Sequence, residues 1–264
     1  MRKGLLLREK IRLILIWEKN IRLKMIEDIK NYYNTENCVK KYSEDVEDVK
    51  LWASEKHIIS KYIKTTDKIL DVGCGAGRTT INLYKEGYTN IVGLDLAANL
   101  LAFAKEYCKK SNLNIEFVNQ SATDIKFEDE KFDSAIFSYN GFMCIPGKAN
   151  RRKAFQEIYR VLKADGIFIF TAHDRDNTKF LKFWQEEKSR WENGTQDKNL
   201  ESFGDRFMPD EFGQESYIHI PSKLEVQTLC QEVGFKVLEC VNNLDIGTPD
   251  EANKETIFWV VQKK

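Results

Sequence analysis

The stretch Ile69-Leu70-Asp71-Val72-Gly73-Cys74-Gly75-Ala76-Gly77-Arg78-Thr79 constrains the fold of this chain more than any other. An apolar run ends in an acid, glycines then alternate with small residues, and helical spacing begins at Thr79. Glycine permits positive φ and lets a ligand approach the backbone closely. A turn that feeds a helix N-terminus also offers free N–H groups to acceptors and negative charge. The spacing is G-x-G-x-G, whereas a dinucleotide fingerprint needs G-x-G-x-x-G, and Arg78 fills the slot of the third glycine. No Gly-Lys-Ser/Thr phosphate loop is present, so nucleotide triphosphate hydrolysis has no support. Asp71 would repel a pyrophosphate but suits a ligand that carries an ammonium group.

Around this turn, apolar spacing alternates between periods of 3.6 and 2. It predicts helices over 25–33, 46–62, 79–86, 100–110, 150–162 and 222–233. It predicts strands over 68–72, 90–94, 115–118, 132–139, 166–172, 235–241 and 256–261. Strands separated by helices argue for a wound, mostly parallel sheet, with ligands outside the carboxyl ends of the strands. The second strand, Ile91-Val92-Gly93-Leu94-Asp95, also ends in an acid. A carboxylate there can accept both hydroxyls of a ribose. Asp174 to Pro221 breaks the rhythm with Phe180, Phe183, Trp184 and Trp191, and reads as an insertion, either a lid or surface decoration.

Together these segments resemble the class I S-adenosylmethionine-dependent methyltransferases. The resemblance covers Leu51 to about Val261 and is most specific at Leu70 to Gly77 with Asp95. Supporting segments are Phe132-Asp133-Ser134-Ala135-Ile136 and Ile158 to Gly166. It implies an α/β, Rossmann-like, seven-stranded mostly parallel sheet in order 3-2-1-4-5-7-6, the last strand antiparallel, with helices on both faces. It implies S-adenosyl-L-methionine as cofactor. Gly73, Cys74, Gly75 and Gly77 would form the loop against the methionine and ribose, Asp71 would lie near the amino group, Asp95 would hold the ribose and Leu96 would pack on the adenine. Family members often carry Gly-Asp-Ala after the third strand. Here the acid is replaced by Ser121, leaving the Ala122 backbone N–H and the more distant Asp124 to address the ring.

Sulfonium methyl transfer is an in-line displacement, so the protein mainly aligns the reactants and excludes water. The candidates lie after the fourth and fifth strands: Ser138, Tyr139 and Asn140 beside the methyl donor, and His173 as a base. Asn140-Gly141 is equally a turn sequence, and His173 is equally a structural or substrate-holding residue. His219 could face the cleft or belong to the start of the next helix, and His57 reads as a surface or packing residue. Tyr42, near Tyr32 and Tyr33, is the expected residue to close over the cofactor.

Composition narrows the partners. The longest charge-free run, Ser134 to Gly147, has 14 residues, too few for a membrane span. Six cysteines include no C-x-x-C pair and read as reduced thiols of a cytosolic (cytoplasmic) protein. Three scattered histidines predict no metal. Residues 1–24 carry eight basic and two acidic side chains, +6, so the other 240 residues carry −6. The segment reads as an extension upstream of a start at Met25, the alternative being a basic amphipathic helix on a membrane surface or partner. Residues 25–264 then form a single domain. Its acidic balance argues against nucleic acid and for a small-molecule substrate, methylated at nitrogen or oxygen. A tRNA- or protein-modifying enzyme and a non-catalytic adenosylmethionine-binding module remain as alternatives. Nothing in the sequence sets an oligomeric state.

Overall fold

A computed structural model describes residues 24–210, 213–251 and 255–264. The chain starts with α1, helical over 24–33, followed by α2 (Glu36–Asp48) and α3 (Ala53–Tyr62). Then come β1 (Ile69–Val72), α4 (Arg78–Lys85), β2 (Ile91–Asp95), α5 (Ala98–Lys110), β3 (Glu116–Asn119) and β4 (Phe132–Phe137). A 3-10 turn at Gly141–Cys144 leads to α6 (Lys148–Val161), β5 (Leu162–Ala172) and α7 (Leu181–Glu192). The chain ends with β6 (Asp205–Pro209), β7 (Glu215–His219), α8 (Lys223–Val233), β8 (Phe235–Asn242), α9 (Asn243–Ile246) and β9 (Ile257–Lys263).

Seven strands form one sheet in the order β3-β2-β1-β4-β5-β9-β8. β1 to β5 run parallel, and β9 pairs antiparallel with both β5 and β8. This is the expected order, since β6 and β7 make a separate hairpin inside the insertion. All four residues of β1 are buried, as a central parallel strand covered on both faces requires. One face packs Phe142, Phe155, Phe168 and Phe170 in edge and stacked contacts. The other packs Ile58, Ile59 and Ile63 of the α3 region against Ile69, Ile136 and Phe258.

Two expectations change. The helix predicted over 46–62 is interrupted: Lys50 has φ 55°, so α2 ends before it and α3 starts anew at Ala53. A lysine in the left-handed region needs a compensating contact, and its carbonyl accepts from Arg78 Nη1. The fifth strand starts four residues earlier than predicted, with Asp165 at φ 62° and a register shift opposite Phe132–Ser134. Asp174 to Pro221, read as an insertion, contains α7 and the β6–β7 hairpin. The basic segment expected over 1–24 lies outside the described residues except for Lys24.

Buried charge fastens the hairpin to the body. His219 Nδ1 lies 2.7 Å from Asp205 Oδ1, and its Nε2 lies 2.7 Å from Glu225 Oε1 on α8. Tyr217 Oη donates to Asp205 at 2.7 Å, and Arg175 Nη1 donates to Glu225 at 2.9 Å. His219 therefore serves the insertion's attachment and does not line the cleft described next.

Candidate cofactor and acceptor cavity

The carboxyl ends of β1, β2 and β4 open into a cavity of about 1180 Å³, its open mouth included. Its floor is the glycine turn. Gly73 (φ 65°) brings the backbone against Phe137; a Cβ there would lie 2.5 Å from Phe137 Cε2. Gly75 (φ 55°) has only Leu100 near a would-be Cβ, at 3.9 Å, so its bare backbone faces open space. Gly75 N donates to Asp95 Oδ2 at 2.8 Å, and Ala97 N donates to Asp95 Oδ1 at 2.7 Å. Burial pushes the Asp95 carboxyl up, opposed by those two N–H groups. Each oxygen still has a lone pair for a hydroxyl.

The structure places Gly73, Cys74, Gly75, Asp95, Leu96, Ser121, Ala122, Ser138, Tyr139 and Tyr42 in the cavity wall. Asp71 and Gly77 are not in it. Gly77 is the N-cap of α4, with φ 89° and a would-be Cβ 2.8 Å from Ile81 Cδ1, so helix packing accounts for it. Asp71 lies behind the loop, fully buried. Thr80 Oγ1 donates to its Oδ2 at 2.6 Å, while Oδ1 has no partner. Burial pushes its pKa up to about 7. On the third-strand side the Ser121 hydroxyl is engaged with Thr123 Oγ1 at 2.8 Å, and Asp124 turns outward to Lys126.

Asn140 and His173 lie behind the wall. Both Tyr139 (φ 55°) and Asn140 (φ 61°) adopt left-handed backbone, strained for non-glycine residues. Asn140 N donates to Thr171 Oγ1, and Asn140 Oδ1 accepts from Thr256 Oγ1 at 2.7 Å. His173 Nδ1 lies 2.9 Å from the Glu255 carbonyl, which can only accept, so the proton is on Nδ1. The Nε2 lone pair then faces Asn140 Nδ2 at 3.4 Å. Burial lowers the His173 pKa.

Sequence reasoning missed several wall residues: Ile26 and Ile29 of α1, Arg78, and Cys144, Ile145, Pro146 and Asn150 after β4, while Tyr33, named beside Tyr42, does line the wall. Arg78 follows the glycine turn directly and could have been found there. Its guanidinium makes two bonds to Glu55, at 2.7 and 2.6 Å, and lies 4.6 Å from the Tyr139 ring centre. The α1 residues carry no local motif. They reach the cavity because Asn99 at the start of α5 bonds Asn34 twice and Tyr32 Oη donates to Asp210.

S-adenosylmethionine fits these residues: a bare-backbone floor, a carboxylate hydrogen-bonded to it, apolar Leu96 and Ala122 in the same wall, and no unpaired cation to receive a pyrophosphate among the wall residues described. Among the described residues, no group of three or more His, Cys, Asp or Glu side chains could hold a metal ion. No helix among them is long and apolar enough to cross a membrane.

Residues 69–166 match the family described as "Methyltransferase domain". An uncharacterized protein of Methanocaldococcus jannaschii is 35% identical over 153 residues, 58% of this chain and 55% of that protein. The ubiquinone/menaquinone biosynthesis C-methyltransferase of Campylobacter jejuni is 29% identical over 156 residues, 56% of this chain and 61% of that protein. The chain thus spans little more than half the length of these curated relatives. Among solved structures, a SAM-dependent methyltransferase of Methanosarcina mazei superposes with TM-score 0.63 at 20% identity, covering 78% of this chain and 96% of that one. Residues 69–166 are thus similar to a methyltransferase domain, and the chain shares its fold with a solved SAM-dependent methyltransferase.

Proposed function

We propose that the chain transfers the methyl group of S-adenosylmethionine to a small molecule enclosed beside the cofactor. The observation that carries this reading is the cavity itself. Its wall joins the glycine turn and Asp95 to Ile29, Tyr33, Tyr42, Ile145 and Pro146. The latter are mostly apolar, which suits a small acceptor better than a polymer.

When bound, the cofactor supplies a methyl group already activated for displacement. Asp95 accepts the ribose hydroxyls, Gly73, Cys74 and Gly75 pass beside the methionine portion, and Leu96, Ser121 and Ala122 frame the adenine. Ser138 and Tyr139 border the donor, and Tyr42 with Tyr33 excludes water. Asn140 and His173 have a positioning role: their bonds to Thr171, Thr256 and Glu255 hold the strained turn that aims Tyr139. Asp71, behind the loop, would lie near the cofactor's ammonium group, whose charge would favour its ionised form. The acceptor atom is nitrogen or oxygen in this reading. A carbon acceptor is the second reading, favoured by the printed function of the Campylobacter relative.

The test is turnover of radiolabelled S-adenosylmethionine with the small-molecule fraction of a cell extract, beside bulk tRNA and protein. The expected result is label in small molecules alone. Label in tRNA or protein alone would refute the small-molecule reading, and no label anywhere would refute catalysis.

A further inference from the structure

The titratable groups of the cavity wall point to the kind of atom that is methylated. Apart from Asp95, the described wall residues that can ionise are Tyr33, Tyr42, Tyr139, Cys74, Cys144 and Arg78. Burial raises the pKa of each tyrosine and thiol, with Tyr139 at about 12, so none is a base at neutral pH. Asp95 has both oxygens in backbone hydrogen bonds on the ribose side. All three histidines of the chain are described, and none lines the cavity. His173, the nearest to the methyl side by its contact with Asn140, has its lone pair turned to the Asn140 amide.

The wall also lacks a counter-ion for an anion. Arg78 is its one described cation, and its charge is paired with Glu55, with three of its five N–H groups donating to Glu55 and the Lys50 carbonyl. An alkoxide, phenolate or enolate would have the cofactor's sulfonium as its only free cation, and no described wall group is placed to form it by taking its proton. A protonated ammonium has the same difficulty, since no second carboxylate lines the cavity among the described residues. An acceptor that is neutral and already has a lone pair meets neither obstacle.

Two side-chain oxygens of the wall, Tyr42 Oη and Asn150 Oδ1, make no hydrogen bond among the described residues. Asn150 lines the cavity and donates Nδ2 to the Pro146 carbonyl at 2.9 Å. Its Oδ1 makes no hydrogen bond among the described residues and can accept one from an N–H. Three tyrosine rings border the same space, with Tyr33–Tyr42 centres 5.9 Å apart and Tyr42–Tyr139 centres 6.4 Å apart. Their π faces suit a flat skeleton and the positive charge that passes through the transition state.

Resting on the methyltransferase reading above, we infer that the acceptor is an uncharged, weakly basic nitrogen on a flat apolar skeleton, an aromatic or heteroaromatic amine oriented by Asn150. The nitrogen lone pair forms the new N–CH3 bond while the S–CH3 bond breaks, its electron pair staying on sulfur. The positive charge moves from sulfur to nitrogen, S-adenosylhomocysteine leaves as a neutral thioether, and any N–H proton goes to water after the transfer. No protein base enters the step.

The full chain, S-adenosylmethionine labelled with carbon-13 in its methyl group, and the small-molecule fraction of a cell extract test this directly. The methyl carbon's chemical shift separates N–CH3 from O–CH3, C–CH3 and S–CH3. The expected product is N–CH3, formed with a kcat that is flat in pH above the acceptor's own pKa. Asn150→Leu is expected to raise KM roughly fivefold, the scale of one neutral hydrogen bond, with kcat nearly kept. O–, C– or S–methyl product, or a kcat that follows an enzyme group's ionisation, overturns the inference while leaving methyl transfer standing. Absence of label in any product overturns the methyltransferase reading instead.

Discussion

Asp95 offers the sharpest perturbation because its two oxygens do different work on two sides. Inward, they accept the Gly75 and Ala97 N–H groups at 2.8 and 2.7 Å. Outward, in the proposed complex, they accept the ribose hydroxyls. Asp95→Asn removes the charge and replaces one acceptor by a donor, so at least one hydroxyl and one backbone N–H lose their partner. Hydrogen bonds to a charged group contribute about 1.5–3 kcal/mol. The expected loss of S-adenosylmethionine affinity is therefore about 1.5–3 kcal/mol, roughly 10- to 150-fold in Kd. The unsatisfied amide should also lower stability by about 1–3 kcal/mol. Calorimetric titration with S-adenosylmethionine and S-adenosylhomocysteine reads the first quantity, and urea unfolding reads the second. A variant that loses stability as expected but binds both ligands as the wild type does would refute the ribose assignment. It would show that the carboxylate serves only the turn.

Glu55→Gln breaks the buried bidentate pair with Arg78 and should destabilise the chain by about 3–5 kcal/mol in urea unfolding. The double variant Glu55→Leu/Arg78→Met should recover much of that loss; a single-variant cost below about 1 kcal/mol would contradict the buried-pair argument. Asp71 has its carboxyl raised from 3.8 to about 7 in the folded chain. The folded state thus holds the proton more tightly, and stability present below the unfolded pKa is lost as pH rises toward 7. Across that window the ligand-free wild type should lose about 4 kcal/mol relative to Asp71→Asn, at 1.36 kcal/mol per pKa unit. Parallel urea-midpoint curves for the two proteins from acid to neutral pH would refute the buried, unpartnered carboxyl.

What was legible in the sequence was what depends on neighbours in the chain. The turn at Gly73 to Gly77 and the acid ending β2 are local patterns, because strand, bend and helix start follow from a few adjacent residues. The sheet order was legible through resemblance, with the β6–β7 hairpin the element it left out. Residues brought in from afar were not legible. Ile26 and Ile29 reach the cavity because the α1–α2 turn is tied to Asn99 and Tyr32 to Asp210. The break at Lys50 depends on Arg78, 28 positions away, taking its carbonyl. His173 shows the converse: its position after β5 suggested a base. Its ring orientation depends on Glu255 and Asn140, which no local pattern announces.

The central claim is that the cavity lined by Gly75 and Asp95 receives an adenosyl sulfonium. Calorimetric titration of the wild-type chain with S-adenosylmethionine, S-adenosylhomocysteine and NADH tests it most directly. The account predicts one site that takes both adenosyl ligands and no heat of binding from NADH. Binding of NADH, or silence toward both adenosyl ligands by a folded protein, would contradict it.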